Sequence, residues 1–297
     1  MQLLTRGKII SVLLEDCEIG SLRIESLIPV NTKMGGPITT LFMPMSAEGF
    51  VLSDGEDYFL VDGGGGGDIL RCMDQMKIPW ERLHHAFLTH EHTDHILGMV
   101  WAVRYVTELI LYGNYEGNFT VFSNAVAGQK LNDICTMLLK KAQRDLIGER
   151  ILIRFVEDGH VEEIFGDRFT FFDIHSTKAM QYGFRMDAKE GYHLVFLGDE
   201  PFSEKCLPYM EPCDWLLAES FCLYSERHIY NPTQYYHGTV KDACECANRF
   251  HAKNLVLWHT EDETTFGIRK DVYTKEAKTF FDGNIYVPDD FDTIELA

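Results

Sequence analysis

The apolar run Ala86-Phe87-Leu88 passes directly into Thr89-His90-Glu91-His92-Thr93-Asp94-His95, and then into the stripe Ile96, Leu97, Met99, Val100, Val103. That order predicts a strand, a short turn and the start of a helix. Side chains alternate along an extended backbone, so His90 and His92 point the same way. Asp94 and His95 follow the turn, at the first positions of the helix. Three imidazoles and two carboxylates within six positions offer a nitrogen-rich pocket to one cation and a mixed nitrogen and oxygen pocket to a second. Imidazole and carboxylate suit zinc, with manganese or iron as alternatives. A lone His-x-His is usually a surface pair or a hydrogen-bonded core residue; Asp94 and His95 at this spacing point instead to a metal site.

The same pattern recurs at the ends of other apolar runs. Phe169–Ile174 ends in His175, His193–Leu197 is followed by Gly198 and Asp199, Trp215–Ala218 ends in Glu219, and Leu255–Trp258 ends in His259. Residues at the carboxyl ends of core strands converge on one rim of a sheet, where sites in α/β folds are built. Read separately, each is a cap or turn residue. Together with the histidine cluster they imply one shared two-metal pocket.

Between these runs the chain reads as an enzyme without linkers or repeats. Phe50–Leu52 and Tyr58–Val61 flank Ser53-Asp54-Gly55-Glu56, a hairpin signal, and Asp62 with Gly63 to Gly67 closes it. The glycine run matches neither nucleotide-binding fingerprint and is read as a tight turn beside a crowded site. Residues 8–30 read as strands and 124–147 as one helix. A second helix runs from about Val240 to His251, with Thr239 as its N-cap and Asp242 three positions on. The acidic end from Asp289 to Glu295 reads as solvated. Over 297 residues this gives a single domain, with a divergent segment at about 1–45.

Composition narrows the partners. No apolar stretch approaches membrane-span length, MQLLTRGKII lacks the apolar core of a signal peptide, and the eight cysteines form no disulfide framework. A reduced, cytoplasmic setting is the expectation. A formal net charge of −19 opposes gripping a long polyanion, whereas bound cations would make a local positive focus for a small anionic substrate.

Taken in order, the motifs resemble those of the metallo-β-lactamase superfamily, and within it the ribonuclease Z branch. His90-Glu91-His92-Thr93-Asp94-His95 matches H-x-H-x-D-H, and His175 followed by Tyr182-Gly183-Phe184-Arg185 resembles the branch's histidine and G-Y-R. Gly198-Asp199 resembles G-D, Ala218-Glu219-Ser220 the H-E-A-T segment, Tyr236-His237-Gly238-Thr239 the H-S-T segment, and His259-Thr260 the last histidine element. The likeness is close from about residue 50 to 265 and loose before 45.

The resemblance implies an α+β (α/β) fold, a four-layer αββα sandwich with a dinuclear site on one rim. It assigns His90, His92 and His175 to one metal, Asp94, His95 and His259 to the other, Asp199 to both, and Asp62 to a supporting position. Two divalent ions, zinc first, would be the cofactors. The catalytic set would be Asp94, His237 and Glu219. A hydroxide held between the metals would attack phosphorus in a small or nucleotide-like phosphodiester, with Glu219 orienting His237 at the leaving oxygen. Two alternatives share this fold: a transfer RNA 3′-processing endonuclease like ribonuclease Z, and a lactone, thioester or β-lactam hydrolase. Ribonuclease Z proteins hold transfer RNA with a long arm between G-Y-R and G-D, but here only Met186 to Leu197 separates those elements. That spacing leaves room for a hairpin and argues against transfer RNA as a partner without another factor. The branch often forms dimers, so the resemblance admits a homodimer, with residues 1–45 as a candidate contributor to its interface.

Overall fold

The chain divides into a unit of residues 1–34 and a unit of residues 35–297. The computed structural model describes residues 38–45 and 48–296, all in the second unit. The strands expected over residues 8–30 lie outside the described residues.

Among the described residues two seven-stranded mixed sheets make the frame. The first holds β1 (Thr40–Met45), β2 (Gly49–Ser53), β3 (Tyr58–Val61), β4 (Leu83–Leu88), β5 (Phe119–Ser123), β6 (Ile151–Phe155) and, at its edge against β1, β14 (Asp292–Glu295). The second holds β7 (His160–Ile164), β8 (Asp167–Asp173), β9 (Tyr182–Asp187), β10 (His193–Phe196), β11 (Trp215–Glu219), β12 (Asn254–Trp258) and β13 (Asn284–Tyr286), in sequence order across the sheet. The longer helices are α1 (Asp68–Gln75), α2 (Thr93–Leu111), α3 (Ala125–Leu138), α4 (Val240–Arg249) and α5 (Arg269–Ala277).

Three separate cores fill the spaces between layers. Phe50, Phe59, Val61 and Phe87 from the first sheet meet Phe169, Phe184, Phe196, Leu217 and Trp258 from the second. Leu60, Ala86 and Leu88 face the other way and pack with Met99 and Val103 of α2 and Leu131 of α3. On the far side Val195, Leu216 and Leu257 pack with Cys244 of α4 and Tyr273 of α5. Neighbouring residues in a strand thus serve different cores, which is why β3, β4, β10, β11 and β12 read as continuous apolar runs. The result is the expected αββα sandwich.

Strand direction explains the rim. β3 and β4 run parallel, as do β10, β11 and β12, and two antiparallel steps bring β8 back to the direction of β10. The residues that follow β3, β4, β8, β10 and β12 therefore emerge on one side, together with Glu219, the last residue of β11.

Two expectations need correction. The helix expected over 124–147 ends at Leu138, where Leu139 and Lys140 turn extended; a new single turn then starts at Lys141. Buried Gln143 holds that turn by donating to Arg104 O and Thr107 Oγ1. The acidic C-terminal stretch is not wholly solvated, since β14 pairs with β1 and buries Ile294 and Leu296. The capping pattern at α4 stands as read: Thr239 Oγ1 accepts from Asp242 N, and Asp242 Oδ2 accepts from Thr239 N.

Candidate metal centre

The turn after β4 carries His90 and His92, and α2 starts at Thr93, so Asp94 and His95 occupy its first turn. The glycine run clamps this turn in place. Gly63 N donates to His95 O at 3.0 Å and Gly98 N to Gly64 O at 2.7 Å. A Cβ on Gly98 would lie 1.6 Å from Gly63 O, and one on Gly63 would lie 2.1 Å from Met99 N. Glycine is required at this crossing because two backbones touch. The bland reading of the glycine run thus holds, and the Gly63 and Gly65 amides are spent on the protein itself.

Six of the seven expected ligands come together. His90, His92 and Asp199 form one group with donor atoms all within 4.8 Å of one another; Asp94, His95 and His259 form a second. His90 Nε2 lies 2.9 Å from His92 Nδ1 and 3.5 Å from Asp199 Oδ2. The same Asp199 oxygen is 3.9 Å from both His95 Nε2 and His259 Nε2. Its other oxygen, Oδ1, accepts from the Gln181 amide. One carboxylate oxygen therefore stands on the border between the two groups.

His175 does not join either group. Its Nδ1 is 3.5 Å from Asp173 Oδ2, and its backbone is left-handed, φ +60°, with its N–H donated to Asp173 Oδ1. Asp62 and His259 are left-handed too, at φ +55° and +52°. Non-glycine residues in this region each cost on the order of 1–3 kcal/mol, a strain that concentrates at functional sites.

Proton accounting tests whether the donors fit a cation. Asp62 Oδ1 accepts from Thr89 N, while Oδ2 faces both Thr89 Oγ1 at 2.7 Å and His95 Nδ1 at 2.8 Å. Thr89 Oγ1 gives its proton to Asp62, so towards His90 Nδ1, 2.9 Å away, it can only accept. Both imidazoles thus carry their proton on Nδ1 and turn an Nε2 lone pair into the cluster. Among the described residues His95 Nε2 is buried without a hydrogen-bond partner, with Asp94 Oδ2 3.3 Å away. Nitrogen and carboxylate donors of this kind fit a divalent ion of the zinc, manganese or iron type.

Charge follows the same layout. Burial, aided by the neighbouring His95, holds His90 well below its ordinary pKa. Burial also opposes charge on His95, but the Asp62 carboxylate outweighs it and holds that pKa well above normal, so a cation there must displace a proton. Burial pushes Asp94 and Asp199 up, yet the imidazoles of His259 and His95 close to Asp94, and those of His90, His259 and His95 around Asp199, outweigh it and leave both carboxyls strongly acidic.

A second pair adjoins the donors. His237 Nδ1 is 3.0 Å from Glu219 Oε1, and Gly238 N donates to Glu219 Oε2 at 2.8 Å. Glu219, His237 and His259 form a third group of mutually close ligand atoms. The rings of His95, His259, His237 and Phe221 lie one over the next at 5.7, 5.5 and 5.0 Å, with interplanar angles of 11°, 16° and 25°. Burial lowers the His237 pKa, with Lys178 adding to the effect, and burial raises that of Glu219.

Sequence reasoning missed Thr89, Gln181 and Lys178. Thr89 directly precedes His90 and Gln181 directly precedes the Tyr182-Gly183-Phe184-Arg185 segment, so their places were the available signal. Lys178 Nζ lies 4.0 Å from Asp199 Oδ2 and 3.6 Å from Glu200 Oε1.

Four layers with a rim of histidine and aspartate donors define a metal-dependent hydrolase scaffold. A sequence model described as the beta-lactamase superfamily domain matches residues 59–260, more than half of the chain. The chain belongs to the metallo-β-lactamase superfamily. It is 29% identical over 110 residues to a ribonuclease Z of Thermococcus sibiricus, an alignment covering 37% of this chain and only a third, 33%, of that relative's length. Among solved structures it is similar to the metallo-β-lactamase fold protein YhfI of Bacillus subtilis, with a TM-score of 0.70, 18% identity, and coverage of 87% of this chain and 99% of that one. It is also similar to a diphosphatase of the PhnP family, with a TM-score of 0.64, 14% identity, and coverage of 87% and 97%. At these identities the likeness shows the fold. That fold implies divalent metal ions. No helix among the described residues is long and apolar enough to cross a membrane, and the described cysteines are buried and unpaired.

Proposed function

We propose that the protein is a dinuclear metal-dependent phosphodiesterase acting on small or nucleotide-like phosphodiesters. The observation that carries this reading is the pair of buried Glu219 and half-buried His237, 3.0 Å apart, set beside His259 at the edge of the donor groups. A lactone also releases an alkoxide. What favours phosphorus is that the pair matches the Glu and His elements of the ribonuclease Z branch, which cleaves a phosphodiester, and is not expected in the carbonyl-cleaving branches. Under this assignment His90, His92 and Asp199 would hold one ion and Asp94, His95 and His259 the other, while His175 stays on Asp173 outside both groups. When bound, such ions supply an activated water and neutralise charge on phosphate oxygens.

The protein's own groups divide the remaining work. Asp62 and Thr89 keep the imidazole lone pairs turned inward. Glu219 accepts the His237 Nδ1 proton and so presents Nε2 to the reacting group. As an imidazolium protonated from solvent, His237 keeps Nδ1–H on Glu219 and donates Nε2–H to a phosphate oxygen or gives that proton to the leaving oxygen.

The test is hydrolysis of bis(p-nitrophenyl) phosphate by zinc- or manganese-loaded protein, alongside a lactone. Turnover of the phosphodiester is the expected result, and with a dialkyl phosphodiester, whose leaving alkoxide needs the proton, kcat should fall roughly 10²–10⁴-fold in His237→Ala at unchanged metal content. Cleavage of the lactone alone would sink the phosphodiester assignment and leave the metal donors standing. The ribonuclease Z relative favours a second reading, cleavage of a structured RNA; retention of transfer RNA on filters separates the two.

A further inference from the structure

The donor carboxylate Asp199 has an ammonium beside it that metal binding does not need. Lys178 sits in the loop between β8 and β9, and its backbone is fixed. Ser176 Oγ accepts from Lys178 N at 3.1 Å and Ala179 N at 3.3 Å, and donates to Glu200 Oε1 at 2.6 Å. Two residues on, Met180 O accepts from the Asn124 side chain, which also holds Thr89 O behind His90. The root of Lys178 is thereby tied to both sides of the rim.

Its tip is not. The Nζ contacts, 4.0 Å to Asp199 Oδ2 and 3.6 Å to Glu200 Oε1, are longer than the roughly 2.7–2.9 Å of a charge-assisted hydrogen bond. Glu200 Oε1 already takes the Ser176 hydroxyl. Asp199 Oδ1 takes Gln181, and its Oδ2 faces three imidazoles. A lysine has three rotatable donors on a flexible stem. These are held beside Asp199 and Glu200, and their charge reaches His237, whose proton affinity it lowers. Cations in the two donor groups would repel the ammonium unless an anion lay between them.

We propose that Lys178 is a substrate-binding residue whose ammonium grips the non-bridging oxygens of a phosphoryl group lying between Asp199 and His237. The proposal deepens the phosphodiester reading and rests on it for the identity of the substrate, but not for the binding of phosphate. It also supplies a selectivity: an anionic substrate gains a contact that a neutral lactone does not.

The experiment uses the whole zinc-loaded protein and inorganic phosphate as probe. Phosphate affinity is read by calorimetry for wild type, Lys178→Ala and Lys178→Arg, with zinc content measured on each. The expected result is phosphate binding weakened about 10–100-fold in Lys178→Ala, largely restored in Lys178→Arg, at equal zinc content. With bis(p-nitrophenyl) phosphate the loss should appear mainly in KM. Equal phosphate affinity in wild type and Lys178→Ala, no phosphate binding by the wild type, no rescue by arginine, or loss of zinc from Lys178→Ala would each overturn the proposal. Phosphate binding that depends on Lys178 in a protein inert towards phosphodiesters would instead remove the phosphodiester reading and keep the anion site.

Discussion

Asp62 touches no cation in the proposed site, yet its oxygens decide which nitrogen of two imidazoles is free. Oδ2 receives both the Thr89 hydroxyl and His95 Nδ1–H, while Oδ1 is held by Thr89 N–H. In Asp62→Asn the backbone N–H keeps the amide oxygen at Oδ1, so the NH₂ group must point at His95. His95 Nδ1 would then accept, its proton would move to Nε2, and the lone pair aimed at the cluster would be lost. The expected outcome is a metal affinity about 100-fold weaker, measured by chelator competition, with little change in side-chain volume. Thr89→Val acts one step further out: His90 Nδ1–H loses its acceptor, but the backbone bonds of residue 89 remain. A loss of about tenfold, confined to one ion of a resolved pair, is expected. If both variants bind zinc as the wild type does, the tautomer argument fails.

At the scale of elements, β4 joins the site to the acid sensitivity of the fold. The strand begins at Leu83, not at the Ala86 expected from the apolar run, and so takes in His84 and His85. His85 packs flat on Phe122, 6.2 Å away at 9°, and its Nδ1 is buried without a partner. Burial, with His84 and Arg154 adding to it and Glu162 opposing, pulls its pKa down to about 4. An unfolded His85 titrates near 6.5, so the unfolded chain binds more protons between those values and stability falls as pH drops through that window. Partial exposure trims the loss to about 2–3 kcal/mol. Thermal melts of metal-free His85→Phe protein should lose less stability than wild type between pH 7 and 4; parallel acid curves would refute this. The example also shows what the sequence could convey. Strands buried on both faces announce themselves as apolar runs, and of the seven polar residues expected to meet at their ends the fold brings six together. His84 and His85 broke the run, so the strand looked short. The path of His175 hinges on a left-handed backbone and the Asp173 hydrogen bond, neither of which alternation encodes. Lys178 and Gln181 reach Asp199 only because β8, β9 and β10 lie side by side, a tertiary fact with no local signature.

For the molecule as a whole, net charge and one short turn set which phosphates can approach. The segment between β9 and β10 is a five-residue connection, residues 188–192, closed by Ala188 N to Tyr192 O at 3.0 Å and Gly191 N to Ala188 O at 2.9 Å. It is the hairpin expected from the spacing, and it adds no cationic arm to the rim. The chain carries 46 acidic side chains against 27 basic ones. Beyond a Debye length of about 10 Å at 0.1 M salt those charges are screened, so a small ester at the rim feels chiefly the metal donors and Lys178. A transfer RNA spans far more surface and meets the acidic field directly. Proteins that neutralise 6–10 phosphates lose about 10³–10⁵ in affinity between 50 and 200 mM salt through counterion release. Here few counterions would be released, and added salt would weaken repulsion as well as attraction. Filter binding should therefore show transfer RNA affinity weaker than about 1 µM and nearly flat across that salt range. Over the same range kcat/KM for a small phosphodiester should change less than about threefold, as the rim contacts are too short to be screened. Tight retention that collapses with salt would mean that basic side chains line an RNA path on this fold despite the net charge, and the small-substrate reading would give way to the ribonuclease one.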